Sequence, residues 1–295
     1  MKGFGRILTA MVTPMKENGE VNYEEAGKLA CHLVETGSEG VVVSGTTGES
    51  PVLTVEEKCQ LFKVVREAVT GKAAVIAGTG SYNTADSIEL TKQAEKIGCD
   101  GIMLVTPYYN KPSQEGLYRH FKAVASQTGL PVILYNVPGR TALNMLPETV
   151  ARLAAIENII AVKEASGSLD QVAEIKRMTP GDFLVYSGDD SMTLPILSVG
   201  GYGVISVASH LAGKMIQEMV TSFVTGKVKT ARELHLKLFP LYKVLFITTN
   251  PVPVKAAVEF IGIKAGAPRL PLVRATEQEV NAIKQVMGEL GLLLP

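Results

Sequence analysis

From Ile7 to Val207 the chain alternates between two kinds of segment. Short apolar runs rich in β-branched residues occupy Ile7–Val12, Gly40–Val43, Ala73–Ala77, Gly101–Val105, Pro131–Tyr135, Ile159–Val162 running into Lys163, Phe183–Tyr186 and Gly203–Val207. Between them lie stretches of helical periodicity: Tyr23–Thr36, Thr54 to about Val69, Thr84–Ile97, Ser113–Gln127, Leu146–Ala155, Leu169–Met178 and a short one near Met192–Leu197. Asn22 offers an N-cap to the first helix, and Thr54 with Glu57 has the spacing of a capping box. Apolar runs of this length without polar alternation read as parallel strands covered on both faces. Strict βα alternation implies a parallel sheet, and eight such units in roughly 215 residues have the size of a closed (β/α)8 barrel, the TIM barrel of the α/β class. An open doubly wound sheet is the alternative, but no GxGxxG follows the first run, so its dinucleotide-binding version lacks its fingerprint.

After Gly226 the alternation stops. Lys227–Leu245, Val254–Ile261 and Glu277–Leu290 are helical by pattern, with no strand between them. The expected division is a barrel over residues 1–226 and a helical C-terminal extension over 227–295. The 29 basic and 29 acidic side chains cancel, which argues against a nucleic-acid partner or a membrane surface. No apolar run reaches bilayer-spanning length, and the N-terminal apolar run reads as a first strand better than as a signal peptide. Three cysteines without a CxxC pair fit a reducing cytoplasm. The four histidines, His32, His120, His210 and His235, show no HxH, HxxxH or HExxH spacing, so no metal site is expected.

The polar clusters follow the strands, where the βα loops of a barrel build its catalytic face. Lys163 ends the sixth apolar run. It reads either as a strand-end lysine snorkelling to water or as an amine held at the rim of an apolar interior, neutralised by desolvation and nucleophilic toward carbonyls. Gly45-Thr46-Thr47-Gly48 reads as a tight loop capped by its own hydroxyls or as backbone N–H groups offered to an anion. Tyr108-Tyr109 suits interface packing, Tyr135 a core tyrosine with a satisfied hydroxyl, and Arg140 a surface ion pair. Asp189-Asp190 reads best as a cap on the helix that follows. Taken together, an amine, tyrosine hydroxyls that relay protons, and hydroxyl and guanidinium donors for a carboxylate suggest Schiff-base chemistry on a keto acid.

Gly45-Thr46-Thr47-Gly48-Glu49, Pro107-Tyr108-Tyr109-Asn110, Tyr135-Asn136-Val137-Pro138-Gly139-Arg140-Thr141, Val162-Lys163-Glu164-Ala165, Gly188-Asp189-Asp190 and Asn250-Pro251-Val252-Pro253-Val254-Lys255 together resemble the dihydrodipicolinate synthase family, in order and over nearly the whole chain. The resemblance implies a pyruvate-dependent class I lyase of the N-acetylneuraminate lyase superfamily, without external cofactor, whose substrates are pyruvate and L-aspartate 4-semialdehyde and whose product serves lysine and diaminopimelate biosynthesis. Pyruvate would form an imine with Lys163. Tyr135 would donate and accept protons beside it, and Thr46 would link Tyr135 to Tyr109 of a neighbouring subunit. Thr47, Ile205 and Gly188 would line the pyruvate site, and Arg140 would hold the carboxylate of the aldehyde. A guanidinium there suits a small carboxylate substrate and not a neutral sugar chain. The runner-up is an aldolase of the same superfamily acting on another 2-keto acid. A catalytically silent keto-acid-binding relative is a further alternative, against which the intact Lys, Tyr, Thr and Arg set speaks. The resemblance also implies a homotetramer built as a dimer of dimers, and a regulatory site matched by Ser50, Pro51, Val55, Lys58, Tyr82, Asp86 and Tyr108. Val55, Lys58 and Tyr82 stand where lysine-sensitive relatives tend to carry His, His and Asn, so weak or absent inhibition by lysine is expected.

Overall fold

The computed structural model describes residues 3–293. Its eight strands are β1 (Ile7–Ala10), β2 (Gly40–Val43), β3 (Ala74–Gly78), β4 (Gly101–Val105), β5 (Val132–Asn136), β6 (Ile159–Glu164), β7 (Leu184–Ser187) and β8 (Gly203–Ser206). All pair in parallel with their sequence neighbours, and Leu8 of β1 pairs with both Gly40 of β2 and Ile205 of β8, which closes the barrel. The connecting helices are α1 (Tyr23–Glu35), α2 (Val55–Ala68), α3 (Thr84–Ile97), α4 (Gln114–Ala125), the single turn α5 (Pro138–Thr141), α6 (Pro147–Ala154), α7 (Leu169–Met178) and α8 (Thr193–Ser198). Beyond β8 come α9 (Ser209–Val224), α10 (Val228–Val244), α11 (Val252–Glu259) and α12 (Glu277–Glu289), with no further strand among the described residues.

Side-chain parity explains why the strands are apolar on both faces. Val42, Ile76, Met103, Ile133, Tyr135, Ala161, Tyr186 and Ile205 fill the barrel interior. Their neighbours Val41, Val43, Val75, Ile102, Leu104, Leu134, Val162, Val185 and Val204 pack outward beneath the helices. The same parity turns Lys163, two residues after Ala161, into the interior. The capping box at Thr54 and Glu57 is present, and Asn22 caps α1 by accepting from the Glu25 N–H. Two helices depart from the sequence reading. Pro138–Thr141 reads as loop because it holds a Pro and a Gly in four residues, yet Pro at the first position is pre-shaped for a single turn. Ser209–Val224 carries no capping side chain and is bent at Ala212, so nothing in its first turn announces a helix start.

Candidate active site

The C-terminal ends of β5, β6 and β7 bring three side chains into one layer. Tyr135 pairs in register with Lys163, and Lys163 with Tyr186. Lys163 is 4% exposed, and its Nζ lies 4.3 Å from the centre of the Tyr135 ring. Among the described residues no carboxylate stands within ion-pair distance of it, so the ammonium has a π-face and low-dielectric walls in place of a counter-ion. Burial therefore lowers its pKa to about 8; the more distant Asp190 charge opposes that shift and the Arg140 charge adds to it. Gly188 makes room for this lysine. A Cβ there would sit 2.7 Å from the Ala165 Cβ and 3.2 Å from the Lys163 Cε.

Tyr135 is buried as well, which pushes its phenol above the ordinary tyrosine range, while the Thr46 hydroxyl and the Arg140 charge pull it back. A cavity of about 200 Å³ opens in front of its ring, lined by Thr46, Ser44, Tyr108, Met103, Val137 and Arg140 among others. Lys163, 4.3 Å from the centre of that ring, is not itself among the lining residues. Arg140, on the single turn α5, is exposed at the mouth, and its Nη2 donates to the Asn250 carbonyl at 3.3 Å. Thr47 is buried and accepts from Asn250 Nδ2 at 3.0 Å. Ser44 begins the same loop in the left-handed region at φ 55°. Its carbonyl lies so close to Gly78 that a Cβ on Gly78 would come within 2.4 Å of it.

The structure thus gathers Lys163, Tyr135, Thr46, Thr47, Gly188, Ile205 and Arg140 at one end of the barrel. It does not bring Tyr109 there. Tyr109 is 92% exposed on the β4–α4 loop at φ 70°, pointing away from the chain's own interior. Tyr108 instead turns inward and packs edge-on against Tyr82, with ring centres 5.2 Å apart. Of the other residues expected to form a regulatory site, Ser50 lines the cavity, Lys58 is partly buried, and Val55 and Asp86 are exposed. Burial lowers the Lys58 pKa and the charge of Asp86 raises it.

The reading of Asp189-Asp190 needs correction at its second residue. Asp189 does cap the next turn, accepting from the Ser191 N–H at 2.9 Å. Asp190 reaches away from that turn. Its side chain accepts from the Ser206 hydroxyl and from the N–H groups of Val207 and Ala208 at 2.9 Å each, so it caps the start of the segment after β8. Burial raises its pKa against the pull of those three donors. Sequence reasoning gave no role to Asn250 or Glu164, although both stand in the motifs named above. Glu164, next to the lysine, is buried and accepts from Asn136, Gln171 and the Ser166 N–H. A carboxylate placed directly after a strand-end lysine was the available signal. Among the described residues no group of His, Cys, Asp and Glu side chains is placed to hold a metal ion, and no helix is long and apolar enough to cross a membrane.

Comparison with known proteins gives concordant results. The model of the Dihydrodipicolinate synthetase family matches residues 3–290. The chain is 60% identical over 291 residues to a 4-hydroxy-tetrahydrodipicolinate synthase of Desulforamulus reducens, covering 98% of each chain. It is likewise 60% identical over 290 residues to the synthase of Moorella thermoacetica, covering 98% of this chain and 99% of that one. Among solved structures, DHDPS from Cyanidioschyzon merolae with lysine bound superposes with a TM-score of 0.97 at 50% identity, covering 98% of this chain and 99% of that one.

Proposed function

The chain belongs to the dihydrodipicolinate synthetase family, and we infer that it is a lyase, a 4-hydroxy-tetrahydrodipicolinate synthase, condensing pyruvate with L-aspartate 4-semialdehyde through an imine on Lys163. The observation that carries the site assignment is Lys163 itself: a buried amine with no ion-pair partner among the described residues, its pKa pushed down to about 8 by desolvation, at the catalytic end of a barrel strand.

The neutral Nζ adds to the C2 carbonyl of pyruvate, and the carbinolamine loses water to give the protonated imine. Proton transfers to and from the oxygen run through the Tyr135 hydroxyl, which the Thr46 hydroxyl orients. The cationic imine acidifies the C3 protons; loss of one gives the enamine, so the protein's own lysine is the electron sink and no external cofactor is needed. The enamine carbon attacks the aldehyde carbon, forming the C–C bond while the aldehyde oxygen takes a proton. The amino group of the semialdehyde then adds to C2 and displaces Nζ, which closes the ring and frees Lys163. Thr47 and the backbone around Gly188 hold the pyruvate carboxylate beside Ile205, and Arg140 at the mouth takes the carboxylate of the aldehyde. Tyr109, exposed and held in a strained conformation, completes the relay from a neighbouring subunit of a homotetramer in the cytoplasm. Residues 227–295 serve as a helical extension to the catalytic barrel.

The test is borohydride reduction in the presence of pyruvate, intact mass, peptide mapping, and then consumption of aspartate semialdehyde. A reduced adduct on Lys163 with turnover is expected. An adduct without turnover moves the function to another aldehyde, and no adduct returns Lys163 to an ordinary strand-end lysine.

A further inference from the structure

The loop that carries Thr46 and Thr47 is held from outside the barrel. It is bracketed by Ser44 and Glu49, which adopt left-handed conformations at φ 55° and 59°. Such conformations cost non-glycine residues of order 1–3 kcal/mol each and persist only where the surroundings over-determine them. Here the surroundings converge on one side chain of α11. Lys255 is 1% exposed, and its ammonium donates to Glu49 Oε1 at 2.8 Å and to the carbonyls of Thr13 and Ala267 at 3.1 Å each. These contacts use all three ammonium protons. The other Glu49 oxygen accepts from the Arg269 N–H at 2.8 Å. Thr13, whose carbonyl Lys255 grips, donates its own hydroxyl to the Gly48 carbonyl at 2.7 Å. Just before α11, Asn250 holds the Thr47 hydroxyl and the Arg140 guanidinium.

A stability role alone does not account for this arrangement. Removing two charges from water costs several kcal/mol per ion, and an apolar pair of the same volume is often as stable as a buried ion pair or more so. What an apolar pair cannot supply is a fixed acceptor for the Arg269 N–H and a fixed donor to two carbonyls. Those contacts, with the Thr13 hydroxyl on the Gly48 carbonyl, tie residues 48–49 to the loop after β1 and to the segment around Ala267 and Arg269. We propose that Lys255 is a positioning residue, whose ion pair with Glu49 sets the Thr46–Thr47 loop in register for pyruvate and couples the C-terminal helices to the catalytic face. The proposal rests on the pyruvate chemistry inferred above.

The decisive variant is the charge-free pair Glu49→Gln with Lys255→Met, studied in the full chain by thermal unfolding, steady-state kinetics and reductive trapping. A folded pair variant that still forms the Lys163 adduct, but needs about tenfold more pyruvate for half-saturation, is the expected result. Its half-saturation for the aldehyde should move less than that for pyruvate. A folded pair variant with wild-type pyruvate half-saturation and turnover overturns the proposal. Should the pair variant fail to fold, Glu49→Asp decides. It keeps the charge but is one methylene too short to reach Lys255 and the Arg269 N–H together, so a several-fold rise in half-saturating pyruvate is expected, and wild-type behaviour overturns the idea. Wild-type protein that forms no pyruvate adduct marks a failure of the parent reading instead, since the variants would then have nothing to weaken.

Discussion

Lys163 and Lys255 are the two lysines that the described part of this fold buries most completely, 4% and 1% exposed, and their surroundings differ in kind. Burial lowers the pKa of both. Lys255 meets a carboxylate at 2.8 Å and two carbonyls, so its charge is matched and its three protons are fixed. Lys163 meets an aromatic face, a glycine and the long-range charges of Asp190 and Arg140. Desolvation without a partner leaves an amine whose neutral form is within reach near pH 8; desolvation with a partner makes a strut. Burial is common to both, so the neighbours separate a candidate nucleophile from a structural cation.

The largest test of that contrast is loss of the amine. Lys163→Ala should abolish the reducible pyruvate adduct and lower turnover by roughly a thousandfold or more. Activity within about tenfold of wild type would end the imine mechanism. Stability should separate the two lysines by sign. The unfolded Lys163 titrates near 10.5 and the folded one near 8, so below pH 8 wild type carries the full cost of a desolvated ammonium. That cost is roughly 3 kcal/mol, and Lys163→Met should gain about that much at pH 7. Between pH 8 and 10.5 the unfolded chain binds the extra proton, wild-type stability rises with pH, and the gain should fade. Lys255→Met should instead lose about 3–5 kcal/mol, because it strands the Glu49 carboxylate. Urea unfolding of both variants at pH 7 and pH 10 reads the two signs directly; variants that shift in the same direction would break the comparison.

Arg140→Ala should raise half-saturating aspartate semialdehyde by about tenfold to a hundredfold and leave the pyruvate adduct able to form, since a charge-assisted carboxylate contact is lost at the mouth while the amine itself stays in place. Disappearance of the adduct would place Arg140 in the first half-reaction. A smaller effect sharpens the electrostatics. The rate of adduct formation should rise through pH 8 as Nζ loses its proton. Asp190→Asn, which removes the anion that favours the ammonium, should move that inflection down, and Arg140→Ala should move it up. Opposite or absent shifts would show that Asp190 and Arg140 do not govern the amine.

How much of this was legible in the sequence follows from the range of each interaction. The barrel was, because two-faced apolar strands and local caps such as Thr54 with Glu57 are written in neighbouring residues. Lys163 was legible as a strand-end lysine, because an apolar run leads straight into it, but its inward direction shows only in the closed barrel, where it shares the parity of Ala161. The partner of Asp190 was not. Adjacency to a helix start suggested a cap on that helix, whereas the carboxylate spans to Ser206, sixteen residues on. The clamp was not legible either: Lys255 finds Glu49 across 206 positions and Asn250 finds Thr47 across 203, and no periodicity encodes such a pairing. Motif resemblance marked both segments without saying that they touch.

A third lysine extends the contrast to an intermediate case and carries the smallest expected effect. Lys58 is only partly buried; desolvation lowers its pKa and the nearby charge of Asp86 opposes that shift. A ligand bringing its own ammonium beside a protonated Lys58 meets like charge at short range, which costs affinity in a partly desolvated site. Free lysine at millimolar concentration should therefore leave the initial rate nearly unchanged. Lys58→His, which is largely neutral at pH 8, should allow inhibition that weakens as the pH falls toward 6 and the imidazole charges. Sub-millimolar inhibition of the wild type would show that the expected regulatory site accepts a cation despite Lys58. Charge at that position would then count for less than the aromatic pair and the Asp86 carboxylate around it.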